Sequence, residues 1–394
     1  MERVNTVPNI LWITQGWPSD VAPSAGAFHC ETVSILKQEF TSLTIANPIP
    51  WVPYPLEKFS THWKNLSAIP KYQKDGNTEI YRPRYLTTPK ENHLFLAHLF
   101  QHYSLSKIIN KVSPSLIHAH FAYSSGATAL WIKKKRGIPY VLTLHGDDVT
   151  VYPYRNKRAY KLFKKTVLGA SKVLAVSHAL AEEAKSLVSV DIDVLPNGID
   201  TTKFFTKKTK EEARNSLGLS LDADITIYVG NLTEEKGILD LKQSLMSLKW
   251  DKRVSIFIGD GPELSNLQSD PRNVCLGAIP RLNIPVWLKA ADYFLLPSYH
   301  EGLGQAAVEA GAVNLPVIGG NVGGLAGLLK DERGILVTPG NTVEITQALE
   351  LLKGTPQYAR KIANNLASYI IKNHDAHHCA KYLEKLYIHL TAKN

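Results

Sequence analysis

Two carboxylates, Glu301 and Glu309, flank a glycine-containing turn in the segment Pro297-Ser298-Tyr299-His300-Glu301-Gly302-Leu303-Gly304-Gln305-Ala306-Ala307-Val308-Glu309-Ala310. The apolar run ending at Pro297 predicts a strand, and the residues from about Gln305 predict a helix, so the turn joins a strand end to a helix start. Gly302 and Gly304 let the backbone approach a ligand, and the first N–H groups of the helix, unsatisfied within it, point back at the turn. That is an anion site. Glu301 in the turn and Glu309 more than a turn into the helix place hydroxyl-accepting carboxylates on either side of it. A molecule with a diphosphate in the middle and sugar at both ends fits. The plainer alternative makes Glu301 a solvated loop residue and Glu309 a surface helix residue.

Five other segments could add chemistry. Tyr228-Val229-Gly230-Asn231-Leu232-Thr233-Glu234-Glu235-Lys236-Gly237 follows a strand and delivers Lys236 beside a glycine, where it could neutralise a phosphate or stand solvated at a helix start. Gly259-Asp260-Gly261-Pro262-Glu263 is a second glycine turn after the next strand. His145, in Leu142-Thr143-Leu144-His145-Gly146-Asp147-Asp148, stands where a buried strand meets a turn; it can contact a substrate as donor or acceptor, or cap the strand. His118-Ala119-His120 resembles a metal pair, but the two rings are read as pointing to opposite faces of a strand, which argues against metal. Gly26, within Pro23-Ser24-Ala25-Gly26-Ala27-Phe28, permits close backbone approach in the first strand-to-helix turn. No G-x-G-x-x-G, G-x-x-x-x-G-K-[ST] or G-x-S-x-G motif occurs, so dinucleotide-cofactor, P-loop and serine-hydrolase readings lose their main support.

The elements that must position these residues are legible as alternating short apolar runs and helix-length segments, the pattern of α/β units on parallel sheets. Strands are expected at Ile10–Thr14, Leu43–Ala46, Leu116–His120, Tyr140–Leu144, Lys172–Val176 and Asp193–Pro196. A second set is expected at Ile225–Val229, Val254–Ile258, Asn273–Leu276, Tyr293–Pro297, Pro316–Gly319 and Gly334–Val337. Six strands per half suit two doubly wound domains. The turn signal Asn197-Gly198-Ile199-Asp200 puts the boundary at about residue 200. Pro48 to Pro89 lacks a clear period and reads as a long functional loop or excursion, and Gln357 to Leu390 reads as two helices. A chain of 394 residues with 44% hydrophobic and 20% charged side chains supports two globular cores and excludes fibrous or disordered classes. Three separated cysteines exclude a disulfide framework or cysteine zinc site, and no apolar segment reads as a signal peptide or membrane span. A cytoplasmic protein is expected, soluble or peripheral at the inner membrane face.

Together the segments resemble the retaining nucleotide-sugar glycosyltransferases of family 4, of bacterial polysaccharide or glycoconjugate type. The matching pieces are "EGLGQAAVEAGAVNLPVIGGNVGG", which holds the E-x7-E element Glu301 to Glu309, "VGNLTEEKG", "GDGPE", "IPVWLKAADYFLLPS", "VLPNGID", "GILVTPGN", "IHAHFAYSSGATAL" and "YVLTLHGDDV". The resemblance implies the GT-B fold, an α/β architecture of two Rossmann-like doubly wound domains facing across a cleft. Residues 1–199 would form the acceptor domain, 200–365 the nucleotide-sugar domain, and 366–394 a helix crossing back to the first. It implies hexosyl transfer from a nucleoside diphosphate sugar, UDP favoured over GDP, to a hydroxyl of a glycan, a glycolipid or a small acceptor. No metal and no cofactor are expected. Glu309 would bind the donor ribose; Glu301 with the backbone of Gly302, Leu303 and Gly304 would face the transferred sugar and phosphates. Lys236 would stabilise the leaving diphosphate, beside Gly230 and Asn231. His145 would lie near the donor sugar, and Gly26 would let the first loop approach the diphosphate.

Two positions depart from the family pattern. Asn231 stands where the family usually has an arginine, removing one of two expected phosphate cations, and Gly323-Gly324-Leu325 leads to Ala326-Gly327 where a proline and a glutamate are common. A catalytically impaired nucleotide-binding module is therefore the alternative, and a metal hydrolase using His118, His120 and His145 a third reading. Charge points to the acceptor side. Residues 1–200 carry 23 basic and 15 acidic side chains, net +8, whereas the remainder is net +2. Lys133 to Arg136 and the stretch Arg155 to Lys165, with Tyr160, Leu162 and Phe163, suggest contact with an anionic membrane or phosphorylated lipid. No motif for nucleic acid accompanies the charge.

Overall fold

The computed structural model describes residues 8–23, 25–39, 42–55, 60–76, 78–87, 94–200 and 208–392. They form two compact units, one of the residues up to Pro196 together with those from His377 on, the other of Asn197–Ala376.

In the first unit β1 (Ile10–Ile13), β2 (Leu43–Ala46), β3 (Ile49–Trp51), β4 (Tyr72–Asp75), β5 (Thr78–Tyr81), β6 (Arg84–Leu86), β7 (Leu116–His120), β8 (Tyr140–Leu144), β9 (Lys172–Ala175) and β10 (Ile192–Val194) are described. Eight of them make one sheet in the order β10-β9-β8-β7-β1-β2-β5-β4, parallel except for the β4–β5 hairpin. Every residue of β1, β2, β7 and β8 is buried, as expected of central parallel strands covered on both faces. Pro48 to Pro89 is thus not one long loop. Its Tyr- and Thr-bearing segments pair, with Thr44, Ile45 and Ala46 of β2 alongside Glu79, Ile80 and Tyr81, and the turn carries Gly76 in the left-handed region (φ 56°).

In the second unit β11 (Asp224–Val229), β12 (Arg253–Ile258), β13 (Asn273–Gly277), β14 (Tyr293–Leu296), β15 (Val317–Gly320) and β16 (Ile335–Val337) form an all-parallel sheet in the order β13-β12-β11-β14-β15-β16. This is the doubly wound order that reverses between its first and fourth strands. Helix Lys210–Leu217 starts at a capping box, Thr209 with Glu212, and stops at Gly218 in the left-handed region.

The expected crossing segment 366–394 needs correction. Residues 366–373 complete the helix Pro356–Asn373, whose Leu366 and Ile370 lie over Gly311, inside the second unit; the last helix, Ala376–Ala392, supplies the segment from His377. The division falls after Pro196, and the two passages of the chain run side by side there: Ile199 N–H donates to the His374 carbonyl at 2.8 Å, and Ala376 N–H to that of Ile199 at 3.1 Å. In the helix Lys157–Gly169, capped by the Asn156 side chain, Phe163 is core rather than surface, while Lys161, Lys164, Lys165 and Leu168 are exposed. No helix among the described residues is long and apolar enough to cross a membrane.

Candidate functional site

In the second unit the reversal of strand order lies between β11 and β14, and the loops leaving their carboxyl ends carry the chemistry. The loop after β11 forms a turn, Glu234–Lys236, and the loop after β14 runs through Ser298 and Glu301. Lys236 Nζ lies 2.7 Å from Glu301 Oε1, which also accepts from Ser298 Oγ at 2.9 Å. Lys236 further reaches the His300 carbonyl at 3.4 Å. The two loops are strapped together by Tyr299, whose N–H donates to the Glu235 carbonyl at 3.0 Å and whose hydroxyl donates to Asp240 at 3.0 Å. Gly323 (φ 44°) backs the Glu301 carbonyl so closely that a Cβ there would stand 2.2 Å from it, and Gly324 N–H donates to the same oxygen at 3.1 Å. Lys236 and Glu301 therefore act as one ion pair at the rim, with side-chain exposures of 29% and 13%.

Gly302, Leu303 and Gly304 make the turn into helix Gln305–Ala312. Leu303 is buried, and Gly304 (φ 79°) precedes a first turn without a side-chain cap. Gly230 N–H donates to the Ile258 carbonyl at 2.9 Å, fixing the β11 exit against β12. Asn231 is exposed, and its carbonyl accepts from the buried Tyr228 hydroxyl at 2.7 Å; burial pushes that phenol's pKa up. Glu309 is only 6% exposed, which removes the reading of a surface helix residue. Its Oε1 accepts from Arg281 Nε at 3.1 Å, and the Arg281 terminal nitrogen lies 2.9 Å away. Arg281 and Ser298 are the site residues that sequence reasoning missed. Ser298 sits inside the quoted motif, but Arg281 is 28 positions from its partner and no spacing rule connects them.

In the first unit the order reverses between β1 and β7, and there four histidines gather. His120 ends β7, His145 follows β8, and His29 opens the helix His29–Glu39. His120 Nδ1 and His145 Nε2 are 3.0 Å apart, so one nitrogen donates and the other accepts. His29 Nε2 pairs with Thr14 Oγ1 at 3.0 Å. His118 is held by the Tyr387 hydroxyl on one nitrogen and by Thr143 Oγ1, at 2.7 Å, on the other. Trp12 stacks on His120 with ring centres 4.2 Å apart, and the His118 and His120 rings are also 4.2 Å apart. The expectation of opposite faces is wrong: residues two apart on a strand share a face. Burial, then repulsion from neighbouring imidazoles, lowers the pKa of His29 and His120 and takes His118 to about 3; burial takes His145 to about 3.

Asp148 holds the loop by accepting from the N–H groups of Ala122 at 2.8 Å, Gly146 at 2.9 Å and His145 at 3.0 Å; burial raises its carboxyl against those donors. Phe121 (φ 71°) and Ser124 (φ 55°) place backbone strain next to it. Gly26 (φ 63°) packs on the first loop itself, since a Cβ would meet the Gly16 carbonyl oxygen at 2.1 Å.

Two family models match: "Glycosyltransferase Family 4" over residues 64–203 and "Glycosyl transferases group 1" over 209–369. TuaC of Bacillus subtilis, a protein assigned to teichuronic acid biosynthesis as a glycosyltransferase, is 37% identical over 96% of this chain and 97% of its own. The chain belongs to the family 4 glycosyltransferases. This glycosyltransferase has the GT-B fold, with its two Rossmann-like units. Sucrose-phosphate synthase from Thermosynechococcus elongatus matches at TM-score 0.82 and 20% identity, covering 98% of this chain and 100% of that one. HepE of Anabaena, solved with UDP-glucose, matches at 0.72 and 19%, over 96% and 99%. In this glycosyltransferase the motif residues Gly230, Asn231, Lys236, Glu301, Gly302, Leu303, Gly304 and Glu309 come from the second unit, and Gly26 and His145 from the first.

Proposed function

We propose that this glycosyltransferase moves a sugar from a nucleoside diphosphate donor, UDP in preference to GDP, to a hydroxyl of a glycan, lipid-linked or small acceptor, with retention at the anomeric carbon and no metal cofactor. The observation that carries the reading is the Lys236–Glu301–Ser298 cluster beside the uncapped helix start at Gly304. Cleaving the bond from the anomeric carbon to the diphosphate leaves negative charge on the departing oxygen and oxocarbenium character on the sugar. An ammonium and backbone N–H groups fixed at that oxygen lower the barrier. Lys236, now on Glu301, is within a side-chain rotation of neighbouring space and can turn to the phosphate, while Glu301 accepts from sugar hydroxyls. Glu309, buried and held by Arg281, is suited to accept from ribose hydroxyls.

The acceptor hydroxyl attacks from the face the phosphate leaves, its proton passing to the departing phosphate oxygen, and His145 serves the sugar in this step, as the family resemblance implies. HepE's solution with UDP-glucose and TuaC's place in teichuronic acid biosynthesis support UDP and a cell-surface glycan. Exposed Lys161, Lys164, Lys165 and Leu168 on one helix support peripheral contact with an anionic membrane at the cytoplasmic face. The uncharged Asn231 favours a second reading, a module that binds nucleotide without turnover.

The test is a panel of UDP-glucose, UDP-N-acetylglucosamine, UDP-glucuronate and GDP-mannose, scored for nucleotide release with and without EDTA, beside Glu309→Ala. Release from one UDP donor, insensitive to EDTA and lost in the variant, is the expected result. Release from GDP-mannose alone would overturn the UDP assignment, and UDP binding by thermal shift without release, even with acceptor extracts, would favour the binding module.

A further inference from the structure

The first unit gathers three imidazoles in a way the transfer reaction does not call for. One ring nitrogen from each of His29, His120 and His145 lies within 4.8 Å of the other two. Tetrahedral zinc with nitrogens at about 2.0–2.1 Å needs them roughly 3.4 Å apart. His120 and His145 already approach to 3.0 Å, so closing the triangle takes ring movements of about an ångström, within the reach of small χ adjustments. Two buried ring nitrogens, His120 Nε2 and His145 Nδ1, have no hydrogen-bond partner among the described residues, so either can take the ring proton that the 3.0 Å pair, His120 Nδ1 and His145 Nε2, gives up when it binds an ion. Thr14 orients His29, while Trp12 and His118 pack the His120 ring, the kind of outer support that metal-bound imidazoles have. His29 and His120 are buried and His145 is half-buried, which leaves one side for an ion to enter and for a water ligand.

We propose that His29, His120 and His145 form a three-imidazole binding site for a divalent transition-metal ion of the zinc class. Neutral imidazoles suit zinc, cobalt, nickel and copper, whereas magnesium and calcium prefer oxygen and bind poorly here. The ion takes a nitrogen of His145. On the reading above, which this consequence rests on, occupancy withdraws His145 from the sugar and silences transfer, so the ion is an inhibitor and not a cofactor.

The experiment titrates the full-length, metal-stripped chain with Co2+ and Zn2+. Expected are one equivalent bound, the visible band of four-coordinate Co2+, its displacement by Zn2+, and no response to Mg2+. His29→Phe, which keeps a ring against Trp12, should weaken binding by at least about tenfold. His120→Gln should do the same if His29→Phe fails to fold, and the exposed control His62→Ala should bind like the parent. Absence of the Co2+ band, or undiminished affinity in both cluster variants, overturns the site. In parallel, nucleotide release should fall with Zn2+ in the parent, recover with chelator, and resist Zn2+ in His29→Phe. A bound ion with undiminished release would overturn the inhibitory role, and a chain that binds the ion but releases nucleotide from no donor would count against the transfer reading while leaving the site standing.

Discussion

The two units place their functional residues at the same point of the same kind of sheet and fill that point with opposite chemistry. In the second unit the strand reversal carries charge: Lys236 on Glu301, Arg281 on Glu309, with glycine backbone around them. In the first it carries neutral rings: His29, His118 and His120 packed on Trp12, and His145 edge-on to His29. Ion pairs near a surface can exchange one partner for a phosphate at small cost. A buried imidazole cluster has no such freedom, because each added proton is an unpaired charge beside its neighbours. One unit is built to receive an anion and the other to keep its imidazoles unprotonated.

Acid should break that contrast most visibly. The four histidines of the first unit have folded pKa values below the unfolded value, so the unfolded chain takes up protons first. Their stabilisation is complete above pH about 6.5 and is lost progressively as pH falls below it, for His118 and His145 down to about 3. At pH 5 the cluster, with four such groups, should lose more than the second unit loses through His374, its histidine lowered to about 4. Hydrogen exchange between pH 7 and 5 should show the strands around His118 and His120 losing protection before those around Thr226 and Phe294; simultaneous loss would dissolve the contrast.

Lys236→Ala should cost on the order of a hundredfold to a thousandfold in nucleotide release with the melting temperature little changed. A loss below tenfold would remove the lysine from the reaction. Gly323→Ala drives a Cβ into the Glu301 carbonyl and should destabilise the second unit by about 1–3 kcal/mol in urea unfolding, with the Lys236 pair displaced. Unchanged stability would mean that the loop yields freely. Asn231→Arg has the smallest effect: it should tighten UDP binding by about tenfold, one added charge-assisted hydrogen bond, in calorimetry. Equal or weaker affinity would show that this position does not face phosphate.

Legibility followed the same divide. The second unit's site lies in two short stretches, 228–237 and 297–309, so strand, turn and helix start could be read in order, and the strands at 43–46, 116–120 and 140–144 were placed to the residue. Arg281 was not legible because its carboxylate partner is on another βα unit. The hairpin of β4 and β5 was missed since its short, half-polar strands show alternation only once β2 covers one side. The last helix was recognised as a helix, but its start at Ala376 depends on the pairing of Asp375 with Ile199.

The sequence by itself determined the alternation of strands and helices, the glycine turns at strand ends and the family to which they belong, because these follow from periodicity and from backbone freedom over a few residues. Only the tertiary structure decided that His29, His120 and His145 share one cluster, that Tyr387 from the final helix holds His118, and that Glu309 is buried against Arg281. Those contacts join residues 25 to 269 positions apart, and parallel strand order, which brings such distant segments together, is set by the packing of helices on both faces and not by any local signal.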